Sequence, residues 1–292
     1  MELWLGAMVQ GLAYSFLAIG VFITMRIYNF PDITADGSLT LGASVTAALI
    51  ASGANPYITM IIAMALGFLA GALTGFIHTK FKINGLLAGI LVTTALYTVN
   101  LRIMGRSNVP LLNVETLLTP YETAFRDAPR WAVDFTVFLV LVVIVLVLLS
   151  LLFKTDFGLA MRATGDNETM IAAQGVDTDL MKIFGIGLSN AFIALSGSLV
   201  CQQQGFSDIS MGIGIIVFGL ASVIIGETFL SITKRPFGIG VRLVSVVVGT
   251  IVFRELVAVT LSIGLSPNDF KLITALFIFV AVALPQLRTG FR

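Results

Sequence analysis

Two short polar segments carry almost every residue of this chain that could do chemistry, and both interrupt otherwise oily sequence. The first, FGLAMRATGDNETMIAAQGVDTDLMK over residues 157–182, holds Arg162, Asp166, Glu168, Asp177, Asp179 and Lys182. The stretch before it carries no charge between Asp134 and Lys154. Acidic residues at a helix start and glycine just past its end are ordinary helix boundaries. Asp166 is therefore expected to N-cap a short helix through Glu168, Ala172 and Ala173 that stops at Gly175. Asp177 is then placed to cap the following long helix, with Lys182 one turn in. Met170, Ile171, Ala172 and Ala173 would form a small apolar edge facing water, suited to a soluble partner; the alternative is an ordinary surface loop. The second segment, NFPDITADGS over residues 29–38, places Asp32 and Asp36 four apart with Thr34 and Ser38 beside them. Pro31 and Gly37 break the helix there, so a discontinuous helix is expected, with Ser38 or Asp36 as its N-cap. At membrane depth two carboxylates are costly and point to a path for solute. A solvent-facing turn with helix caps is the other reading.

The elements that hold these segments follow from composition. Hydrophobic residues make up 57% of 292 and charged residues 11%, with a mean hydropathy of +1.00. Soluble domains carry roughly 25% charged residues, so this chain cannot keep a water-facing surface wet. Its apolar runs are long and continuous, as for helices spanning lipid, and lack the alternating pattern of a β-barrel. The fold class is all-α, a polytopic helical membrane protein. Runs at 4–25, 38–53, 57–77, 85–104, 133–153, 183–201, 212–231, 238–261 and 270–287 predict about nine spans, within eight to ten. No polar stretch exceeds about 30 residues, too short for a separate soluble domain, so residues 1–292 are expected to form one membrane domain. The opening apolar run lacks a basic leader and reads as a retained first helix.

Lys and Arg concentrate on the cytoplasmic side of membrane proteins. Placing the C-terminus inside puts Arg26, Lys80, Lys82, Lys154, Arg162, Lys182, Lys234, Arg235, Arg288 and Arg292 inside. Arg106, Arg126, Arg130 and Lys271 fall outside, a bias of ten to four. The N-terminus is thus predicted outside and the 157–182 segment cytoplasmic. Gly67, Gly71 and Gly75, then Gly85 and Gly89, form small-residue ridges for close helix packing. Glu227, Arg242, Arg254 and Glu255 lie within apolar spans and require partners, since each charge there costs about 2.5–3.5 kcal/mol or more. Arg254 and Glu255 point about 100° apart on a helix and need not pair with each other. Asn100, Arg102 and Gln202 to Gln204 are further polar candidates, and residues 105–132 form a long outer segment.

One cysteine, Cys201, excludes a disulfide framework, and one histidine, His78, excludes a His-pair metal site. No metal or cofactor is expected, and nothing in the charge balance of +1 points to nucleic acid. The chain has no Gly-Lys dipeptide, hence no phosphate-binding Walker loop, and no Gly-x-Ser-x-Gly or His-Glu-x-x-His. It is not expected to be an enzyme, so its energy must come from a partner or an ion gradient.

The stretch GLAMRATGDNETMIAAQGVDTDLMKIFGIGLSNAFIALSGSL resembles the cytoplasmic loop and following helix of bacterial ABC-transporter permeases of the branched-chain amino acid and ribose group. The matching positions are Gly158, Ala160, Arg162, Ala163, Gly165, Asp166, Asn167, Ala172 or Ala173, Gly175, Val176, Leu195, Ser196 and Gly197. NFPDITADGSLTLGA, GLASVIIGE and LSPNDFKLITALFIFVAVALP are similar to a subgroup of tryptophan/tyrosine, or amino-acid, permeases. The resemblance implies a permease subunit of a binding-protein-dependent importer, in a bacterial inner membrane. In that family the loop forms a coupling helix seated in a groove of a separate ABC ATPase. Arg162, Gly165, Asp166, Asn167, Glu168, Ala172, Ala173 and Gly175 would be its ATPase-coupling residues, and Asp32, Thr34, Asp36 and Ser38 would line the path. The implied partners are the ATPase, an extracytoplasmic substrate-binding protein, a second permease copy as a homodimer, and membrane lipid. An amino acid is the first expected cargo, a sugar or nucleoside the second. An ion-coupled secondary transporter using Asp32, Asp36, Glu227 or Glu255 is the alternative, and an intramembrane scaffold is a third.

Overall fold

The computed structural model describes residues 2–112, 114–125, 128–231, 237–262 and 279. Helix α1 (Glu2–Phe22) runs into a π-helical turn (Ile23–Ile27), and after a break α2 (Thr34–Ala51) begins. Helices α3 (Pro56–Phe81) and α4 (Gly85–Met104) form a hairpin. Strand β1 (Asn108–Pro110), the short α5 (Thr119–Ala124) and the long α6 (Arg130–Leu152) follow. The polar segment contains α7 (Asp156–Asp166) and α8 (Glu168–Ala173), leading into α9 (Thr178–Gln204). Strand β2 (Phe206–Asp208), α10 (Ile215–Ser231) and α11 (Ile239–Ser262) complete the described chain. β1 and β2 pair antiparallel, Val109 opposite Ser207, clasping the loops after α4 and α9 together.

Local chemistry sets these boundaries. Asn55 accepts a hydrogen bond from the Tyr57 N–H ahead of Pro56, and Asn84 does the same for Leu86, each at 2.9 Å. Both are N-caps that satisfy a donor the helix itself leaves unpaired. Gly105 and Gly205, at φ +68° and +77°, end α4 and α9 in the left-handed conformation that a Cβ disfavours.

Six of the described helices are long and apolar enough to cross a membrane, with a seventh, shorter apolar helix at Ile215–Ser231. The described structure therefore does not reach the expected count of nine. Eight of the nine predicted runs coincide with helices, but α2 is diluted by Asp36, Ser38, Thr40, Ser44 and Thr46. Apart from residue 279, the ninth run, 270–287, lies outside the described residues, as do Arg126, Lys234, Arg235, Lys271, Arg288 and Arg292. The predicted 38–53 span starts four residues early, at Thr34, because a helix entering packed protein need not begin apolar.

Helices α1, α2 and α9 form the centre, and α3, α4 and α6 present apolar faces outward, including Ile61, Leu69, Leu87 and Leu148. The reason is side-chain size. The sequence SNAFIALSGS in α9 leaves little bulk, so neighbours come in backbone to backbone. A Cβ on Gly42 of α2 would overlap the Ala194 carbonyl, and one on Gly197 would overlap that of Leu39. The ridge Gly67, Gly71 and Gly75 on α3 packs against Asn190, Ile186 and Ile183 of α9. In lipid, where burial offers no hydrophobic gain between helices, such close approach is what holds them together. Hydroxyls then pair across the seams: Thr46 donates to Ser198, and the Thr34 and Thr74 hydroxyls hydrogen-bond to each other, both at 2.7 Å.

Candidate functional site

The polar segment folds as two helices at a bundle end rich in Lys and Arg. Thr155 caps α7 by accepting from the Gly158 N–H at 3.2 Å. Asp166 is the last residue of α7 and not the expected cap of the next helix. That role falls to Asn167, whose extended backbone (φ −154°) lets its side chain accept from the Met170 N–H at 3.0 Å. Gly175, at φ +89°, turns the chain, and Asp177 opens α9 by accepting from the Leu180 N–H at 3.1 Å, as its position predicted.

Glu168 ties α8 to α9, accepting from Lys182 Nζ at 2.5 Å and from Thr178 at 3.3 Å. The Lys182 ammonium holds the Glu168 carboxyl below its usual range. Ile171 turns inward and is buried, contrary to its expected place on the open edge, because it anchors α8 to the bundle. Asp166, Asn167, Glu168, Met170, Ala172, Ala173 and Gly175 stay exposed. Gly165 instead presses its α-carbon onto the Ile27 carbonyl, and Arg162 is half-buried beside it on α7.

Ion pairs draw the neighbouring helix ends to the same level. Asp179 meets Lys80 at 3.2 Å and Lys82 at 3.9 Å, joining α3 to α9. Glu227 of α10 pairs with both Arg26 and Arg242, the latter at 3.2 Å. These are the partners that the charges at 227 and 242 required. Arg254 stacks over the rings of Tyr14 at 4.0 Å and Phe218 at 5.0 Å, with no dependence on its neighbour Glu255.

At the break between α1 and α2, Asn29 and Pro31 are exposed while the residues that follow turn into the bundle. Asp32 and Thr34 are buried, as is Ser38, with 1%, 0% and 0% exposure respectively. Asp32 Oδ1 accepts from the Thr34 N–H at 2.9 Å, so it supplies the helix-start contact expected of Ser38 or Asp36. Its Oδ2 accepts from the Asn190 side-chain amide at 2.6 Å. Asn190 lies 12 residues past Thr178, about 18 Å along α9. Asp36 has a different task. Its carboxylate accepts from the backbone N–H groups of Gly214 at 2.8 Å and Ile216 at 3.1 Å, at the start of α10. An anion at these unpaired donors is favoured by the helix dipole. Asp36 is half-buried, the one member of the four that reaches a surface of the chain. Asn100 donates to the Gly37 carbonyl at 3.2 Å, and Gln202 accepts from the Leu117 N–H at 2.8 Å, so both act as tethers.

Sequence reasoning missed Asn190, whose signal was a lone amide within IGLSNAFIAL. It also missed Tyr28, whose hydroxyl donates to the Met181 carbonyl at 2.7 Å. Among the described residues no three His, Cys, Asp or Glu side chains gather as metal ligands would.

The sequence profile of the family described as "Branched-chain amino acid transport system / permease component" matches residues 3–283. A tyrosine transport system permease protein of Clostridioides difficile (strain R20291) is 39% identical over 288 residues, 99% of this chain and 93% of that one. An autoinducer 2 import system permease protein of Photorhabdus luminescens is 28% identical over 214 residues, 72% of this chain and 61% of that one. Among solved structures, PsaBC from Streptococcus pneumoniae in complex with Fab superposes with a TM-score of 0.54 at 14% identity, over 94% of this chain and 89% of that one. An inward-facing ABC transporter superposes with a TM-score of 0.55 at 17% identity, over 96% and 84%. At those identities the two structures speak for the fold alone.

Proposed function

The chain belongs to the branched-chain amino acid transport system permease family and is a transmembrane permease of an ABC transporter, and we propose that it imports an amino acid. This is a family of transport permeases and not of enzymes. The 39% identity to a tyrosine permease over nearly the whole chain makes aromatic amino acids the first cargo to test. In this reading residues 1–292 form a single permease domain with about nine spans, within eight to ten. The N-terminus faces outward and the C-terminus lies in the cytoplasm of a bacterial inner membrane. A second copy of the chain completes the path, lipid surrounds it, and an extracytoplasmic binding protein delivers the solute. Of the four residues at the break, Asp36 borders the path, while Asp32, Thr34 and Ser38 hold its wall.

The observation that carries this reading is α8. It is a short helix, closed at both ends by Asn167 and Gly175 and tied back through Glu168 to Lys182. It keeps Met170, Ala172 and Ala173 exposed at the end of the bundle where the paired basic residues gather. We assign it as the coupling helix that meets a separate ATPase, with 157–182 as its loop. Asp166, Asn167, Glu168, Ala172, Ala173 and Gly175 make the edge, and Arg162 and Gly165 seat it on the bundle. The test is the double substitution Ala172→Arg, Ala173→Arg. Both positions are exposed, so the permease should fold and insert as before but lose its ATPase on affinity purification. Full retention of the ATPase would contradict the assignment.

A further inference from the structure

The break between α1 and α2 is gripped from two sides by the segment that carries α8. On one side Gly165 of α7 lies against the carbonyl of Ile27 and the α-carbon of Tyr28, so closely that no Cβ would fit between them. On the other side the Tyr28 ring lies across Gly185 of α9, and its hydroxyl donates to the Met181 carbonyl at 2.7 Å. Four residues further on, Asp32 accepts from Asn190 at 2.6 Å. The joint also has a shape of its own. The Tyr28 N–H donates to the Ile23 carbonyl at 3.2 Å and the Phe30 N–H to that of Thr24 at 2.9 Å. Asn29 adopts φ +51°, a conformation that asparagine tolerates better than most residues. Residues 28 and 30 are thus tied back onto the π-helical turn before them, so the joint is not slack chain. Beyond the joint, the first turns of α2 present Asp36 to the start of α10.

Any displacement of α7, α8 and the first turns of α9 as a unit must carry the joint with it or break these contacts. We propose that residues 27–32 receive the movement of α8 and pass it through α2 and Asp36 to the start of α10, with Tyr28 as the positioning residue of this linkage. The proposal rests on the reading that α8 meets the ATPase. It adds a route inside the permease that uses none of the ATPase-facing side chains.

The test is Tyr28→Phe, which keeps the ring on Gly185 and removes the hydroxyl bond to Met181. Vesicles reconstituted with the permease, its ATPase and its binding protein are assayed for solute uptake and ATP hydrolysis in the same sample. Hydrolysis should stay within twofold of the unsubstituted protein while solute moved per ATP falls at least fivefold. Asp32→Asn, near-isosteric and at the other end of the joint, should change the ratio in the same direction. Tyr57→Phe, which removes a hydroxyl bonded to Tyr121 at the opposite end of the bundle, should leave it unchanged. An unaltered ratio in both Tyr28→Phe and Asp32→Asn would overturn the proposal and leave the docking reading standing. Loss of ATPase binding in Tyr28→Phe would also overturn it, by making Tyr28 part of the docking surface. If the unsubstituted permease neither binds the ATPase nor shows ATP-driven uptake, the docking reading fails, and the proposal with it.

Discussion

Asn190→Ala is expected to be among the more damaging single substitutions in the bundle. Asn190 donates to Asp32 Oδ2 at 2.6 Å and to the Ile186 carbonyl at 3.0 Å, and Gly71 packs directly on its side chain. Hydrogen bonds between helices in membrane proteins average only about 0.6 kcal/mol. Here the acceptor is a carboxylate with 1% exposure, left with Thr34 alone as its support once the amide is gone. A bond to a charged group contributes about 1.5–3 kcal/mol, because its loss leaves the charge under-solvated. The space vacated beside Gly71 cannot close, since the backbones are already in contact, so a cavity cost is added. Together these predict a loss of about 2–4 kcal/mol, a fall in Tm of roughly 3–7 °C at about 2.1 cal/mol/K of unfolding entropy per residue. Thermal unfolding of the purified permease in detergent measures it. A double-mutant cycle with Asp32→Ala isolates the pair, with an expected coupling of about 1.5–3 kcal/mol. A coupling at or below the average of about 0.6 kcal/mol would refute the reasoning that a buried, singly supported carboxylate sits there.

Two further outcomes follow from the same geometry. The folded-state pKa of Glu168 is depressed by Lys182, so the α8–α9 tie is fully present above the ordinary glutamate value of about 4.3. It should be lost as the pH falls through the lower folded value, seen as a drop in hydrogen-exchange protection across 166–177 relative to the intrinsic rate at each pH, whereas protection that stays unchanged throughout the acid range would contradict it. In a background lacking Cys201, which is itself buried, cysteines at Thr34 and Ser38 should resist water-soluble thiol reagents, while one at Ile213, 64% exposed beside the Asp36 cap, should react. Equal labelling of all three would contradict the packing around the break.

Both polar segments were legible in the sequence because each interrupts an apolar run, and a charge in such a run has to be explained. Their detailed roles were not. Asp166 and Asn167 are adjacent and both make good caps; what decides between them is how far α7 extends, which depends on Gly165 docking onto Ile27. Asp32 and Asp36 look equivalent in DITAD, yet one pairs with Asn190, 158 residues away, and the other with Gly214, 178 residues away. No local pattern encodes partners at that separation. The start of α2 was misplaced for a related reason, since its polar first turn lowers hydropathy although Thr34 and Asp36 find tertiary partners there. The glycine ridge of α3 was read correctly as a packing surface, but that its partner is α9 emerges only once the helices are assembled.

The source of energy for transport tests the account most directly. Vesicles holding this permease with its ATPase and its binding protein, loaded with ATP on the cytoplasmic side, should accumulate an amino acid. Collapsing the proton and sodium gradients should leave the rate nearly intact, and omitting the ATPase should abolish uptake. Uptake that persists without the ATPase and follows the proton gradient would contradict the account, and would turn attention to the buried carboxylate of Asp32 as a proton carrier.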